Sequence, residues 1–345
     1  MDTILGLDLQ TWWFLVVGAL FIVYAILDGF DFGVGAWHLF LDKKEERRIA
    51  LNAIGPVWDG NEVWLVIGGG SLFAGFPVVY ATLLSSMYIP FILFFVFVIF
   101  RAVSIEFRGK EKMTWWLKTW DISYSVSNIM LAFLLGVVLG NVLQGIPVGE
   151  NFIYQGKGFF EFLNIYPLLV GLSTLFLFMT HGAIYLILKT EGALYDKLTV
   201  FVNRAVLLFI VVFGITTFYT VIFIPRLLDE FISNPVLFSI PLAAFLSIAN
   251  IPRLTGKKKY LSAFMFSSLT ICLLLIIAGI NFYPTLLLST IDDKYSLSIY
   301  NAASSLKTLR IMLTMVAVGS PLVIAYTVFV YRTFRGKVKI EETSY

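Results

Sequence analysis

Residues 12–27 read WWFLVVGALFIVYAIL, sixteen positions without a charge, and run directly into LDGFDFGVG at 27–35. A second stretch, VVYATLLSSMYIPFILFFVFVIF at 78–100, holds no charge over 23 positions. A helix that crosses the hydrocarbon core needs about 20 apolar residues, so blocks of this length predict transmembrane helices. The blocks are continuous and do not alternate, which selects helices over a barrel: in lipid each helix satisfies its own backbone hydrogen bonds. Composition agrees. Of 345 residues 59% are hydrophobic and 14% charged, and mean hydropathy is +0.87, whereas soluble domains carry about 25% charged residues. A soluble globular domain is excluded.

Breaks at charged or Gly/Pro-rich segments divide the chain into nine predicted spans, near residues 11–37, 50–72, 78–103, 119–141, 164–188, 200–223, 235–252, 260–282 and 308–331. The seventh is the weakest, with Pro235, Pro241 and Pro252. Residues 1–345 read as a single integral membrane domain, because the longest breaks, 142–163 and 283–307, are too short to fold alone. Twenty of the 25 Lys and Arg residues fall in the breaks after spans one, three, five and seven or near the C-terminal end, from Lys43, Lys44, Arg47 and Arg48 to Arg332, Arg335, Lys337 and Lys339. The positive-inside rule then places the N-terminus outside and the C-terminus in the cytoplasm, which requires an odd number of helices. The net charge of +3 is sorted by membrane side and carries no nucleic-acid footprint. Met1-Asp2-Thr3 has no basic leader, so the first block is expected to be a retained span. Trp12 and Trp13 at the outer end, and Trp115, Trp116 and Trp120 at the inner end, are expected at the two interfaces.

The anomaly lies in the acids. Asp28 and Asp31 stand one turn apart in the first span, and Asp59 and Glu62 one turn apart in GPVWDGNEVWL at 55–65; a spacing of three puts each pair on one helical face. With a hairpin centred near Glu45, Asp31 and Asp59 are expected at one depth, and Asp28 and Glu62 at another. Asp31 lies roughly 16 Å from the inner edge, at 1.5 Å per residue. Arg101 is placed as counter-charge, and Glu106 and Lys110 extend the polar line towards the cytoplasm. Charges inside a bilayer are costly unless paired, hydrated or shared with a proton, and they commonly mark ion or proton routes. The plainer reading makes the acids structural partners of Arg101 or of another subunit.

Other signals are weaker. Gly29 with Gly33, and Gly136 with Gly140, match small-xxx-small helix packing. Cys272, the single cysteine, reads as an inert packing residue. His38 and His181 are the only histidines, too few for a multi-haem or copper centre, and read as interfacial or hydrogen-bonded side chains, not haem or metal ligands.

Taken together, LDGFDFGVG at 27–35, ERRIALNAIGPVWDGNEVWLVIGGGSLFAGFP at 46–77, FRAVSIEFRGK at 100–110, TWD at 119–121 and GNVLQGIP at 140–147 resemble subunit II of cytochrome bd-type quinol oxidases over nearly the whole length. The resemblance implies an all-α fold of nine transmembrane helices, two four-helix bundles plus a peripheral helix. It implies a multi-pass protein of the bacterial cytoplasmic membrane within a quinol:oxygen oxidoreductase, not catalytic alone. Two b-type haems, haem d and the quinol site are then expected in the partner, subunit I, with no haem or metal on this chain; a small accessory subunit and membrane lipid are further expected partners. Asp59 of the WDGN segment matches an acid of a proton route at the subunit interface, Glu106 and Lys110 match polar positions lower on it, and Asp31, Arg101 and Asp121 are further charged positions of the same motifs; Asp28 and Glu62 join the route on the residue reading, and at position 62 an amide also suits the family pattern. Position 106 departs from the Asp expected there. The competing class is a stand-alone proton- or cation-coupled transporter using Asp28, Asp31, Asp59 and Glu62, although the acidic motifs do not repeat in the second half.

Overall fold

The structure, a computed structural model, describes residues 3–339, so Met1, Asp2 and residues 340–345 lie outside the described residues. A two-stranded hairpin, β1 (Thr3–Ile4) and β2 (Leu7–Asp8), leads into α1 (Leu9–Trp37), whose N-terminus is capped by the Asp8 carboxylate accepting from the Thr11 amide at 2.7 Å. There follow α2 (Lys44–Ile54), α3 (Trp58–Gly75), α4 (Pro77–Ser86), α5 (Tyr88–Arg108), α6 (Thr114–Gln144), α7 (Ile165–Lys189), α8 (Gly192–Phe223), the short α9 (Asp229–Ser233), α10 (Ser239–Gly256) and α11 (Tyr260–Asn281). A second hairpin, β3 (Thr285–Leu287) with β4 (Leu297–Ser298), precedes α12 (Leu306–Thr333).

Two of the expected spans are cut differently. The span expected at 50–72 starts inside amphipathic α2, whose helix ends at Gly55-Pro56, and α3 begins only at Trp58. The span expected at 78–103 starts ten residues too early. Pro77 lacks an amide hydrogen and so opens a new helix at its first position, giving α3 and α4 a mutual bend of 117°. Pro90 is harmless because first-turn amides of α5 have no helical partner. Among the described residues eight helices are long and apolar enough to cross a membrane, and the bent α3–α4 pair, counted as one span, makes nine.

α1 is the hinge of the packing, in contact with α3, α6, α7 and α11. It forms one four-helix bundle with α3, α5 and α6; α7, α8, α10 and α11 form the second, and α12 lies at the periphery with its apolar window entirely unburied. The bundles meet where Gly33 of α1 faces Gly182 of α7: a Cβ on Gly33 would sit 1.9 Å from the Phe178 carbonyl oxygen, and one on Gly182 2.5 Å from the Gly33 carbonyl carbon. Only glycine permits that approach. Trp13 departs from its expected interfacial role, being buried with its indole donating to the Leu309 carbonyl at 2.9 Å, which ties α12 to α1.

The two long breaks do not dangle. Ile146, Val148, Phe162, Leu287, Leu297 and Ile299 form a second apolar cluster with Leu9, Trp13 and Phe76, closing one end of the molecule. The basic segments gather at the other end. There Lys197 bridges Asp42 at 2.7 Å and Glu46 at 3.1 Å, an ion pair that holds Asp42 below the usual carboxylate range. Lys189 and Thr190 at the end of α7 are strapped by the tail through Val338 N–H to the Lys189 carbonyl (2.9 Å) and Lys337 Nζ to the Thr190 carbonyl (2.7 Å). Gly33→Ala should destabilise the detergent-solubilised protein by about 1–3 kcal/mol, as forced overpacking does. Gly18→Ala, whose Cβ meets nothing within 4 Å, should leave the thermal midpoint unchanged, so equal midpoints for the two variants would refute the close-approach account.

Candidate functional site

Arg101 comes from the last third of α5 and is fully buried. Its guanidinium donates to both carboxylate oxygens of Asp28, at 3.0 and 2.5 Å, and lies 3.8 Å from Asp31 and 3.9 Å from Glu62. A guanidinium and a carboxylate in this two-pronged geometry make the strongest common charge-assisted pair. The rings of Phe32 and Trp58, with centroids 4.7 and 6.0 Å from the guanidinium carbon, add a cation–π setting. Asp28 and Asp31 are sealed, while Glu62 keeps 17% of its side chain accessible.

Asp31 and Asp59 do not face each other. Because α2 intervenes and α3 starts at Trp58, Asp59 lies in the first turn of α3, exposed on the surface of this chain. The group level with Asp31 is Asn61, whose amide donates to the Asp31 carboxylate at 2.8 Å and to the Leu27 carbonyl at 3.2 Å. Asn61 in turn accepts from the Tyr331 hydroxyl at 2.8 Å, so peripheral α12 reaches the cluster through one hydrogen bond. Neither Asn61 nor Tyr331 was singled out by sequence. Asn61 was visible as the last letter of the WDGN segment, but nothing local marks Tyr331, 270 positions away. Glu106 and Lys110 lie exposed at the basic end of α5, away from the sealed acids.

Asp121 does not pair with Arg101. It anchors a second buried cluster, accepting from Arg108 Nε at 2.5 Å, Arg47 Nη1 at 2.8 Å and His38 Nε2 at 2.6 Å. This joins the turn that follows α1 to α2, α5 and α6 at the basic end. His181, in the interior of α7, pairs through Nδ1 with the Ser267 hydroxyl (2.7 Å) and through Nε2 with the Ile26 carbonyl (3.1 Å), and stacks on Phe264 at 4.4 Å. Both nitrogens of His181, and Nε2 of His38, are thus committed inside the chain and do not fit an axial haem ligand. Among the described residues no three His, Cys, Asp or Glu side chains converge on a metal-sized site.

Comparison with known proteins assigns the family. Residues 9–334 match the family model described as cytochrome bd terminal oxidase subunit II. The chain is similar to the cytochrome bd-I ubiquinol oxidase subunit 2 of Escherichia coli, at 34% identity with 96% of this chain and 95% of that protein covered. It is similar also to the cytochrome bd ubiquinol oxidase subunit 2 of Bacillus subtilis, at 32% identity with 97% and 98% covered. Among solved structures a chain of the bd oxidase from Geobacillus thermodenitrificans shares the fold, with a TM-score of 0.78 at 19% identity over 94% of this chain and 98% of that one. The sealed charges between α1, α3 and α5 are therefore the interior of a multi-pass oxidase subunit, and the chain belongs to the cytochrome bd terminal oxidase subunit II family.

Proposed function

We propose that this chain is the haem-free subunit of a quinol-oxidising, oxygen-reducing complex in the bacterial cytoplasmic membrane, and that its first three long helices supply part of the proton route from the cytoplasm to a haem-bearing subunit I. The observation that carries the reading is a charge imbalance: three carboxyls, the sealed Asp28 and Asp31 and the partly open Glu62, surround one buried guanidinium, Arg101. Three such acids cannot all be compensated by one cation, so proton occupancy is the free variable of the cluster. The acids also grade from sealed to open. Asp28 and Asp31 are enclosed, Glu62 is partly open, and Asp59, one turn before Glu62, stands on the surface.

That gradient suits a relay that ends on a partner. Glu106 and Lys110 at the basic end gather protons from the cytoplasm, Asp59 hands them across the subunit interface, and Glu62 couples Asp59 to the buried reserve. Haem supplies the oxygen-reducing chemistry in subunit I; the present chain positions and passes protons and scaffolds that partner. The unburied apolar face of α12 and the exposed faces of α5 and α8 offer surface for the partner and for lipid.

Asp59→Asn keeps the side-chain shape but removes the titrating group. In the assembled complex it should slow oxygen consumption roughly a hundredfold, the lower end of what a positioned proton carrier contributes, with haem content unchanged by absorbance. Wild-type turnover would sink the route; loss of bound haem would assign Asp59 a structural role. Arg101→Gln leaves the sealed acids without a counter-charge, which costs about 3–5 kcal/mol. It should therefore reduce the yield of assembled complex, and full recovery at wild-type thermal stability would contradict the pairing.

A further inference from the structure

Seven buried polar side-chain atoms find no hydrogen-bond partner among the described residues, and five of them fall in one place. They are Asp31 Oδ1, Arg101 Nε, Asn128 Oδ1, Tyr124 Oη and His38 Nδ1. Buried polar groups are almost always satisfied, by protein or by ordered water, so a concentration of five is itself an observation. Each exposes less than 1 Å². A partner subunit cannot reach them, and their needs must be met inside this chain.

Their arrangement follows from helix geometry. Asp31 and Gly35 sit at i and i+4 on one face of α1, and His38, which caps α1 at i+7, continues that face to about 10 Å along the axis. Opposite them on α6 stand Asn128 and Tyr124, four residues apart and so also on one face. The Asn128 side chain presses on Gly35, where a Cβ would lie 2.2 Å from its amide carbon, and the Tyr124 ring meets His38 edge-on at 5.0 Å. Tyr124 also lies within electrostatic reach of Arg101, Asp31 and Asp28. Asp31 and His38 on one side and Asn128 and Tyr124 on the other therefore line the seam between the C-terminal end of α1 and α6, with Arg101 of α5 beside Asp31 at its upper end. At its upper end is the Asp28–Asp31–Arg101 cluster; at its lower end His38 donates to Asp121, which Arg47, partly exposed at 21%, links to the basic surface.

We propose that this seam holds a file of ordered waters that connects the two charged clusters and gives Asp31 its own proton connection to the cytoplasm, inside this chain and separate from the surface positions Glu106 and Lys110. A water making about three hydrogen bonds suits the alternation of acceptors (Asp31 Oδ1, Asn128 Oδ1, His38 Nδ1) with donors (Arg101 Nε, Tyr124 Oη). The proton moves along the file by exchange of O–H bonds, one formed as the next breaks, with no other reactant. Gly35 contributes by leaving Asn128 the room to face the seam. The proposal rests on the proton-route reading above, and adds to it a second branch that joins the surface branch at the Glu62–Asp59 turn.

Two measurements on the assembled, haem-loaded complex decide it. The first is a map fine enough to show waters: density within about 2.7–3.2 Å of Tyr124 Oη, His38 Nδ1 and Asp31 Oδ1 is expected, and a dry seam overturns the file. The second is proton uptake during oxygen reduction for Tyr124→Phe, Glu106→Gln and the double variant. Parallel branches predict that each single variant keeps roughly half the rate and the double loses more than about tenfold, a non-additivity that independent sites do not show. If Glu106→Gln slows uptake while Tyr124→Phe is silent in both backgrounds, the internal branch is refuted and the surface route stands. If Asp59→Asn and the double variant both match wild type, the proton-route reading itself fails.

Discussion

One buried ion pair organises this molecule. Arg101 and Asp28 are taken wholly out of solvent and held in two-pronged contact, an arrangement whose desolvation cost is met only by near-ideal geometry and added hydrogen bonds. Meeting that demand fixes three helices at once. α1 must present Asp28 and Asp31 to α5, α5 must bring Arg101 to mid-depth, and α3 must supply Asn61 to the Asp31 oxygen that faces Arg101. The glycines follow from the same demand: α1 can serve both bundles only because Gly33 and Gly182 let its other side approach α7 at backbone contact.

Such an investment is poor evidence of stability for its own sake, since buried pairs are often replaceable by apolar residues at no loss. It makes sense if the charges are used. The excess of carboxyls over guanidinium, the graded exposure from Asp28 to Asp59, and the second cluster of His38, Arg47, Arg108 and Asp121 at the basic end are what the proposed proton route draws on. Membership of the oxidase subunit family is what makes the proposal of a proton route reasonable, because reducing oxygen in a membrane consumes protons.

Much of this was legible in the linear chain. Charge-free runs long enough to span marked the helices; the basic breaks marked one end; the motif at 55–65 named Asp59, Glu62 and, unremarked, Asn61. What escaped had physical reasons. Hydropathy averages over a proline, so the bend at Phe76-Pro77 vanished into the apolar run, and the amphipathic α2 was absorbed into its neighbours. Asp59 turns outward while Asn61, two residues on, faces Asp31, and chain spacing alone does not fix which of the two points inward. Trp13 looked interfacial because its burial depends on α12, 296 residues later. Tyr331 and Asp121 carry no local mark of their partners, since the contacts that define them are made only once α12 meets α3 and α6 meets α1 and α2.

The central claim is that protons for oxygen reduction travel through the charges of α1, α3 and α5. Time-resolved proton uptake by the assembled complex carrying Glu62→Gln addresses it most directly, because Glu62 joins the sealed acids to the surface-facing Asp59 turn. The account predicts slowed uptake and slowed oxygen consumption while electrons still reach the haems from quinol at the wild-type rate. Uptake and turnover indistinguishable from wild type would contradict it.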